Sequence, residues 1–413
     1  MDVAEVESKS EAVRLEVRAW LEDNRDPDRD QRAWRARVVD SGWAYPSWPE
    51  EFYGRGIDRA LSTVVAEEFA AAAVPFGALD AQPGRHAIEL QIGGNVLVAH
   101  AEASLKGELL RPILMGDLRA CLLYSEPGAG SDLASLQTKA ELDGEEWVVS
   151  GQKVWTTAGH LADFGLLIAR TDWNLPKHRG ISYFILPMHQ VGVEVRPLRQ
   201  MTGESHFNEV FIDEARMPHN HLVGDLNDGW RVLQTALAFE RMVMGSTPKA
   251  GADERFVPVG LNLDLLELAR RLGKDRDPMV RQQLVELYIL RTVIRWNAQR
   301  AAQVAGRGGF TPAASLSKLA MSRLLHDSAG TADAILGPVG TLYGPDVPDA
   351  HTANTSLMMA FMNSIGGGSD QIQRNIISER VLGLPKDVSV DRDVPFRDVP
   401  KAVARLDFGR RGT

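Results

Sequence analysis

A nine-residue segment with two serines and two glycines has the composition of a ligand-binding loop. It reads YSEPGAGSD over residues 124–132, and Ser125 and Ser131 stand on either side of a proline turn that contains Gly130. Such a loop can direct backbone N–H groups and a hydroxyl toward a polar ring or a phosphate. A simple tight turn has the same composition, so the segment alone leaves both interpretations open.

A second segment, GQKVWTT over residues 151–157, places Trp155 and Thr157 at the end of a predicted strand. An indole beside a hydroxyl donor suits an aromatic heterocycle. A half-buried tryptophan in a sheet is the alternative interpretation.

An acidic residue on an apolar helix face is a third candidate for chemistry. Helical periodicity begins near Asp228, and Glu240 falls on the apolar stripe of that helix. The apolar members of the stripe are Trp230, Leu233, Leu237 and Met244. A glutamate there is unexpected unless it is paired or functional. The adjacent Arg241 does not face it, but an ion pair to another element could retain either side chain, so both interpretations stay open.

Three glycines precede a predicted helix start in the segment SIGGGSDQIQRN, residues 364–375. They let a backbone approach a ligand closely, and Ser369 can cap a helix whose N-terminus favours a polar or negative oxygen. A plain flexible turn is the alternative.

Periodicity divides the chain into helices, a β-domain and helices again. Residues 9–115 are helical, short β-rich runs bounded by turn residues fill 119–225, and helical periodicity then persists to about 382. The region 248–279 predicts a loop with one short helix. The last residues, from about 386, are charged and predict an extended tail.

Composition excludes several classes of protein. With 413 residues, 44% hydrophobic content and a net charge of −9, the chain predicts a multidomain globular protein without a nucleic-acid-binding surface. The acidic N-terminus is not a signal peptide, and no apolar run is long enough to span a bilayer, so we expect a soluble cytoplasmic protein. Cys121 lies in an apolar run and predicts a buried thiol. His219 and His221 lack companion acids at ligand spacing, so no metal site is predicted.

The first two segments together resemble the acyl-CoA dehydrogenase family, whose flavin loop is similar to EPGAGSD and whose strand motif is similar to GQKVWTT. The resemblance covers nearly the whole chain, including RGISYFILP, GESHFNEVFIDEARMP and QIQRNIISERVLGLP. It implies a multidomain α+β fold with a helical N-terminal domain (1–117), a middle antiparallel β-domain (118–227), a C-terminal four-helix bundle (228–385) and an extended tail (386–413).

The resemblance also implies FAD, bound between the last two domains and a neighbouring subunit, and an acyl-CoA substrate. The positions that match cofactor contacts in the family are Ser125, Gly130, Ser131, Trp155, Thr157, Ser369 and Gln371. Those that match positions near the substrate are Ser131, Arg241 and Gly367.

Many family members carry a catalytic glutamate in a pattern similar to YEGTSQIQR, and alignment on QIQR puts Gly367 at that position. The segment LAFERMVMG instead resembles the isovaleryl-CoA dehydrogenase type, in which the base comes from the earlier helix. Glu240 is therefore the predicted base for the α-proton, with hydride transfer to flavin N5 giving a 2-enoyl-CoA. A carboxylate in a water-poor site has its pKa raised toward working pH, as this step requires. The thioester oxygen would be polarised by a flavin hydroxyl and the Gly367 N–H.

Two departures from the family suggest a partner chain. We find no arginine–phenylalanine pattern similar to RxxFG in 248–279, and the pattern similar to GGxGY is altered to GPVGTLYG at 337–344. The chain thus resembles subunits of heteromeric actinobacterial enzymes that act on steroid side-chain CoA thioesters, although a homo-oligomer remains an alternative. An electron-transfer-flavoprotein-like acceptor is expected. A structural partner subunit and a flavin oxidase or monooxygenase on the same fold are the competing functions.

Overall fold

The computed structural model describes residues 3–26, 30–75, 87–245, 263–305, 313–386, 388 and 391–399. Within these ranges the predicted fold class is confirmed: helices, then a β-domain, then helices. The division at residues 117, 227 and 385 stays a prediction.

The N-terminal helices pack their apolar faces into one core with part of the sheet. They are α1 (Val3–Asn24), α2 (Gln31–Asp40), α3 (Ser62–Ala71), α4 (Asn95–His100) and α5 (Ala103–Met115), with a π-helical segment over Ala87–Gly94. Trp20, Trp34 and Phe69 form an aromatic cluster between α1, α2 and α3, with ring centroids 5.6 to 6.4 Å apart. These rings bury a large apolar area where the three helices meet.

The middle domain is an eight-stranded sheet. Its strands are β1 (Ala120–Leu123), β2 (Lys139–Asp143), β3 (Glu146–Thr157), β4 (Phe164–Arg170), β5 (Ile181–Pro187), β6 (Val193–Leu198), β7 (Phe207–Pro218) and β8 (Leu222–Val223). The order is β6-β7-β3-β2-β4-β5-β8, with β1 paired to β4. Most pairs are antiparallel, as predicted, but β1 runs parallel to β4 and β2 meets β4 in a single parallel pair.

The C-terminal domain is helical. Its helices are α6 (Gly229–Gly245), α7 (Leu265–Arg271), α8 (Pro278–Ala305), α9 (Ala313–Leu336), α10 (Pro348–Ile365) and α11 (Asp370–Arg380). The short α7 agrees with the short helix predicted in 248–279, and residues 248–262 of that region lie outside the described part. Helix α6 packs against β5, the π-helical segment and α9, so it joins all three regions.

The described part of the tail differs from the expected extended segment. Residues 391–399 fold back onto the middle domain and include a short 3-10 turn over Phe396–Asp398. Phe396 is the reason: it is a large apolar ring in a charged stretch, and it is almost completely buried.

Among the described residues, no helix is long and apolar enough to cross a bilayer.

Candidate functional site

A buried ion pair fixes the start of the 124–132 loop to β3. Lys153 donates from Nζ to Glu126 Oε1 at 2.9 Å and to the Tyr124 carbonyl at 3.1 Å. The Glu126 carboxylate also accepts from the N–H groups of Gln137 and Thr138, at 2.7 and 2.8 Å. Burial alone would raise the pKa of Glu126, but Lys153 and these donors outweigh it and hold the pKa below its usual value. The start of the loop is therefore rigidly anchored to β3.

The sequence interpretation missed this pair, although it contains a signal for it. Period-two alternation along β3 puts Lys153 on the same face as Trp147 and Val149, both of which are buried. A lysine on that face needs an internal partner.

Beyond this anchored start, the tip of the loop faces open space. Gly130 and Ser131 are exposed, and a Cβ added at Gly128 or Gly130 would meet no atom within 4 Å in the structure. Neither glycine has a positive φ. Neither packing nor backbone conformation of the described chain thus requires glycine there, and close approach of a ligand supplies a reason for it.

Trp155 is presented to solvent beside this loop. The N–H of Val154 donates to the Ser125 carbonyl at 2.9 Å, which brings Ser125 next to the tryptophan. A register irregularity between Lys153 and Thr156 gives Trp155 a φ of +62° and leaves it 59% exposed. A bulky residue in the left-handed region is a strained outlier, and such strain is concentrated at functional sites. The half-buried alternative is therefore wrong; Thr157, two residues on, is also exposed.

The charge of Glu240 acts on the start of the same loop, at Tyr124. It is half-buried near the C-terminal end of α6, seven residues after Leu233, which is fully buried. Tyr124 and Tyr183 share a buried O–H···O bond of 2.7 Å. Burial raises the pKa of both hydroxyls, and the negative charge of Glu240 raises both further. The carboxylate is thus within electrostatic reach of the residue that precedes Ser125.

The three-glycine turn connects α10 to α11 in a defined conformation. Gly367 and Gly368 have φ values of +63° and +84°, which favour glycine. The buried Gln373 donates from Nε2 to the carbonyls of both, at 3.2 and 3.4 Å. Ser369 caps α11 by accepting from the Ile372 N–H at 3.3 Å, which confirms the predicted cap. The turn is therefore held in place rather than freely flexible.

A second buried ion pair, also missed from the sequence, anchors this turn to the bundle. Lys318 of α9 donates to Asp370 Oδ1 at 3.2 Å, and Ser322 donates to the same oxygen at 2.8 Å. Asn363 of α10 donates to Ser322 Oγ at 3.0 Å. Helical spacing places Lys318 on the buried face with Met321 and so signals the need for a partner.

The structure groups the predicted site residues into two places. Ser125, Gly130, Ser131, Trp155 and Thr157 lie together around the middle-domain loop, with Glu240 nearby. Gly367, Ser369 and the exposed Gln371 lie on the α10–α11 turn, whose hydrogen bonds run to α9 and α10. The side chain of Arg241 lies outside the described part.

The histidines and the cysteine have structural surroundings. His221 is buried with Nδ1 2.8 Å from the Ile185 carbonyl, and the ring of His219 stacks on Trp147. Cys121 is fully buried, which confirms the prediction, and burial raises its pKa to about 12. A thiol with that pKa is inert at neutral pH.

Three models of acyl-CoA dehydrogenase domains match the chain in order. The N-terminal domain matches residues 7–117, the middle domain 121–215 and the C-terminal domain 227–382. Acyl-CoA dehydrogenase IpdE1 of Mycobacterium tuberculosis is 35% identical over 397 residues, which cover 91% of this chain and 98% of that protein.

Two solved structures have the same fold over 92% of this chain and 98% of their own. One is the Tcur3481-Tcur3483 steroid ACAD, with 26% identity and a TM-score of 0.70. The other is the ChsE4-ChsE5 complex from Mycobacterium tuberculosis, with 26% identity and a TM-score of 0.66. Together with the loop, strand and bundle described above, these matches show that the chain is an oxidoreductase of the acyl-CoA dehydrogenase family.

Proposed function

We propose that this chain catalyses the FAD-dependent α,β-dehydrogenation of an acyl-CoA thioester to a 2-enoyl-CoA, with Glu240 as the base. The observation that carries the proposal is the position of Glu240. The residues just before it on α6, Leu237 and Phe239, pack against the same hydrophobic core as Tyr124 and Tyr183, and its negative charge raises the pKa of both tyrosines. A carboxylate on a largely apolar helix face thus lies beside a loop built for a ligand.

The residues of the middle domain fit a flavin nucleotide. Gly128 and Gly130 leave open space at the loop tip, Ser125 and Ser131 add hydroxyls, and Trp155 offers an exposed indole. Backbone N–H groups and hydroxyls suit the polar edge of a flavin or its phosphates, and an indole suits its flat ring. When bound, FAD supplies the acceptor for the hydride that leaves the β-carbon.

Glu240 removes the α-proton, and its surroundings favour that role. The half-buried carboxylate belongs to a helix whose Leu233 and Leu237 join the same hydrophobic core as the tyrosine pair, so part of its surroundings is apolar. The backbone at Gly367, held by Gln373, would supply the N–H that the resemblance assigns to polarising the thioester oxygen.

Product analysis separates the competing functions. Dehydrogenation removes two hydrogens, so mass spectrometry of the acyl-CoA after anaerobic incubation must show that loss. If the chain were an oxidase, its reduced flavin would instead react rapidly with oxygen in the presence of product. If the chain were a structural subunit, the substitution Glu240→Ala would leave the activity of the complex unchanged.

Gly130→Val should weaken FAD binding without changing the stability of the apoprotein. The new side chain meets open space, so the unfolding free energy should stay within about 0.5 kcal/mol of wild type. A clash with the ligand of about 1–3 kcal/mol would lower FAD affinity roughly 10- to 100-fold. Chemical denaturation and calorimetric titration measure the two effects.

Gly192→Ala is the matched control. Gly192 has a φ of +90°, and its added Cβ would meet the Asp213 carbonyl at 2.4 Å. This variant should lose unfolding free energy whether or not the loop tip is the FAD site. If Gly130→Val bound FAD as wild type does, the loop tip would not be the flavin site.

We further propose that the chain pairs with a homologous subunit and acts on a bulky, steroid-derived acyl-CoA. Both solved relatives named above are two-component assemblies by their titles, and one is described as a steroid ACAD. An apolar stripe on α8 supports an interface. Its members, all between 40% and 69% exposed, are Val285, Tyr288, Ile289, Val293 and Trp296.

This stripe lies opposite the buried face of α8, which Val280, Leu287 and Ile294 line. A helix that is apolar on both faces requires a second partner. The same helix carries four arginines and one glutamate. A two-fold contact between two copies would bring these basic helices together, so a partner with acidic residues around its own apolar face fits better.

The chain alone should therefore self-associate weakly, and more strongly as salt screens the arginines. Sedimentation velocity at low and high ionic strength measures this. Ile289→Lys should abolish association at high salt, whereas Glu108→Lys, on the exposed surface of α5, should not. A tight dimer at low salt that Ile289→Lys leaves intact would exclude this stripe as the interface.

A further inference from the structure

The C-terminal segment Asp391–Val399, here called the strap, docks on the connection between β4 and β5. The N–H groups of Phe396 and Arg397 donate to the carbonyls of Leu175 and Trp173, each at 3.0 Å. An antiparallel bridge pairs Pro395 with Pro176. The strap thus adds a short backbone pairing to the middle domain, far along the chain from the elements it touches.

Two buried cations lie beneath the strap. Lys177 donates to Asp391 Oδ2 at 2.8 Å. The ring of Phe396 lies 3.5 Å from the Arg170 guanidinium carbon, and both side chains are almost fully buried. Burial lowers the pKa of Arg170 to about 10, so the guanidinium stays charged at neutral pH and gains from the aromatic face.

The same two cations hold the far end of the ligand loop. Lys177 also donates to Asp132, at 3.1 and 3.2 Å to its two oxygens, directly after Ser131. Arg170 donates to the carbonyls of Ala134 at 2.7 Å and Leu136 at 3.2 Å. The strap therefore contacts the same two cations that hold Asp132, at the end of the loop, and the residues that directly follow it.

Each cation depends on the strap for part of its environment. Burial would lower the pKa of Lys177, but Asp391 and Asp132 together raise it above its usual value. Asp391 is the better shielded of the two carboxylates, with 25% of its side chain exposed against 58% for Asp132. Without Asp391, Lys177 would keep only the more solvated partner, and such pairs are weak.

We propose that the strap positions the Ser131 end of the ligand loop, with Asp391 and Phe396 as positioning residues for cofactor and thioester binding. What the loop binds rests on the proposed function, whereas its coupling to the strap rests on the contacts alone. The C-terminal segment would thereby influence the affinity of the site through Lys177 and Arg170.

Hydrogen–deuterium exchange on the full-length chain without ligand tests the coupling. Asp391→Asn removes the charge at nearly constant shape. It should speed exchange of peptides covering residues 127–136 about three- to tenfold, because an ion pair of this partial burial contributes modestly to local opening. FAD affinity, measured by calorimetric titration, should fall by a similar factor.

Two matched variants give the specificity. Asp393→Asn makes the same change at an exposed position two residues further on and should behave as wild type. Asp391→Glu keeps the charge and should restore most of the protection. A strap that only braces the fold would lower the unfolding temperature in Asp391→Asn and leave loop exchange and FAD affinity unchanged, which would overturn the proposal.

The hydrogen-exchange result does not depend on whether the protein is catalytically active. If wild type bound no FAD yet Asp391→Asn still loosened residues 127–136, the coupling would hold and the proposed function would fail. If wild type bound FAD and neither exchange nor affinity changed in Asp391→Asn, the coupling would fail and the proposed function would hold.

Discussion

Glu240→Gln should reduce the rate of flavin reduction by acyl-CoA about 10²- to 10⁴-fold, the range that loss of a positioned base produces. The glutamine amide keeps the shape of the carboxylate but cannot accept the α-proton. FAD and acyl-CoA binding should change little, because neither the loop anchor at Glu126 nor the cap at Ser369 involves this side chain. Anaerobic stopped-flow absorbance measures the rate.

Glu108→Gln, on the exposed surface of α5, is the control for a lost carboxylate and should reduce flavin at the wild-type rate. Loss of FAD from the Glu240→Gln protein would indicate a structural role instead. An unchanged rate would show that another group is the base.

Lys153→Met should destabilise the protein by about 3–5 kcal/mol, because it leaves the Glu126 carboxylate buried without its cation. Adding Glu126→Gln should recover part of that loss, since it removes the buried charge and the glutamine oxygen can still accept from one of the two N–H groups, that of Gln137 or that of Thr138. Lys139→Met is the matched control, because it breaks an exposed Lys139–Glu141 pair of the same 2.9 Å length. It should cost less than about 1 kcal/mol.

The pH dependence of this pair follows from the lowered pKa of Glu126. A group whose folded pKa lies below its unfolded value adds stability above the unfolded pKa, and that stability is lost as the pH falls through the folded pKa. Wild type should therefore lose this contribution below about pH 4, near the ordinary glutamate pKa. The unfolding free energies of wild type and of the double variant, measured by urea denaturation, should therefore converge as the pH falls from neutral to acid. Equal stability of wild type and Lys153→Met at neutral pH would contradict the anchoring role.

Local signals explain which features the sequence predicts well. The cap at Ser369, the short α7 and the β-rich runs each depend on neighbouring residues, so composition and spacing suffice. The prediction of Glu240 as the base rests on a local signal of the same kind, an acid on an apolar stripe, together with a family pattern, and it stays a prediction.

Features that depend on distant contacts were missed. The Tyr124–Tyr183 bond joins residues 59 positions apart, and the strap joins Asp391 to Lys177 across 214 positions. The positive φ of Trp155 comes from the irregular pairing of β3 with β7, which the seven letters of GQKVWTT do not encode. The sequence shows Phe396 as one aromatic residue in a charged stretch, but only the three-dimensional structure shows that its ring lies over Arg170.

The visible spectrum of the FAD-loaded chain, recorded without oxygen before and after addition of a panel of acyl-CoAs, tests the central claim most directly. The panel should include straight, branched and steroid side-chain thioesters. Dehydrogenation by this chain predicts that at least one of them bleaches the flavin and yields its 2-enoyl-CoA in equal amount. An unbleached flavin with every member of the panel, also in the presence of a homologous partner subunit, would contradict it.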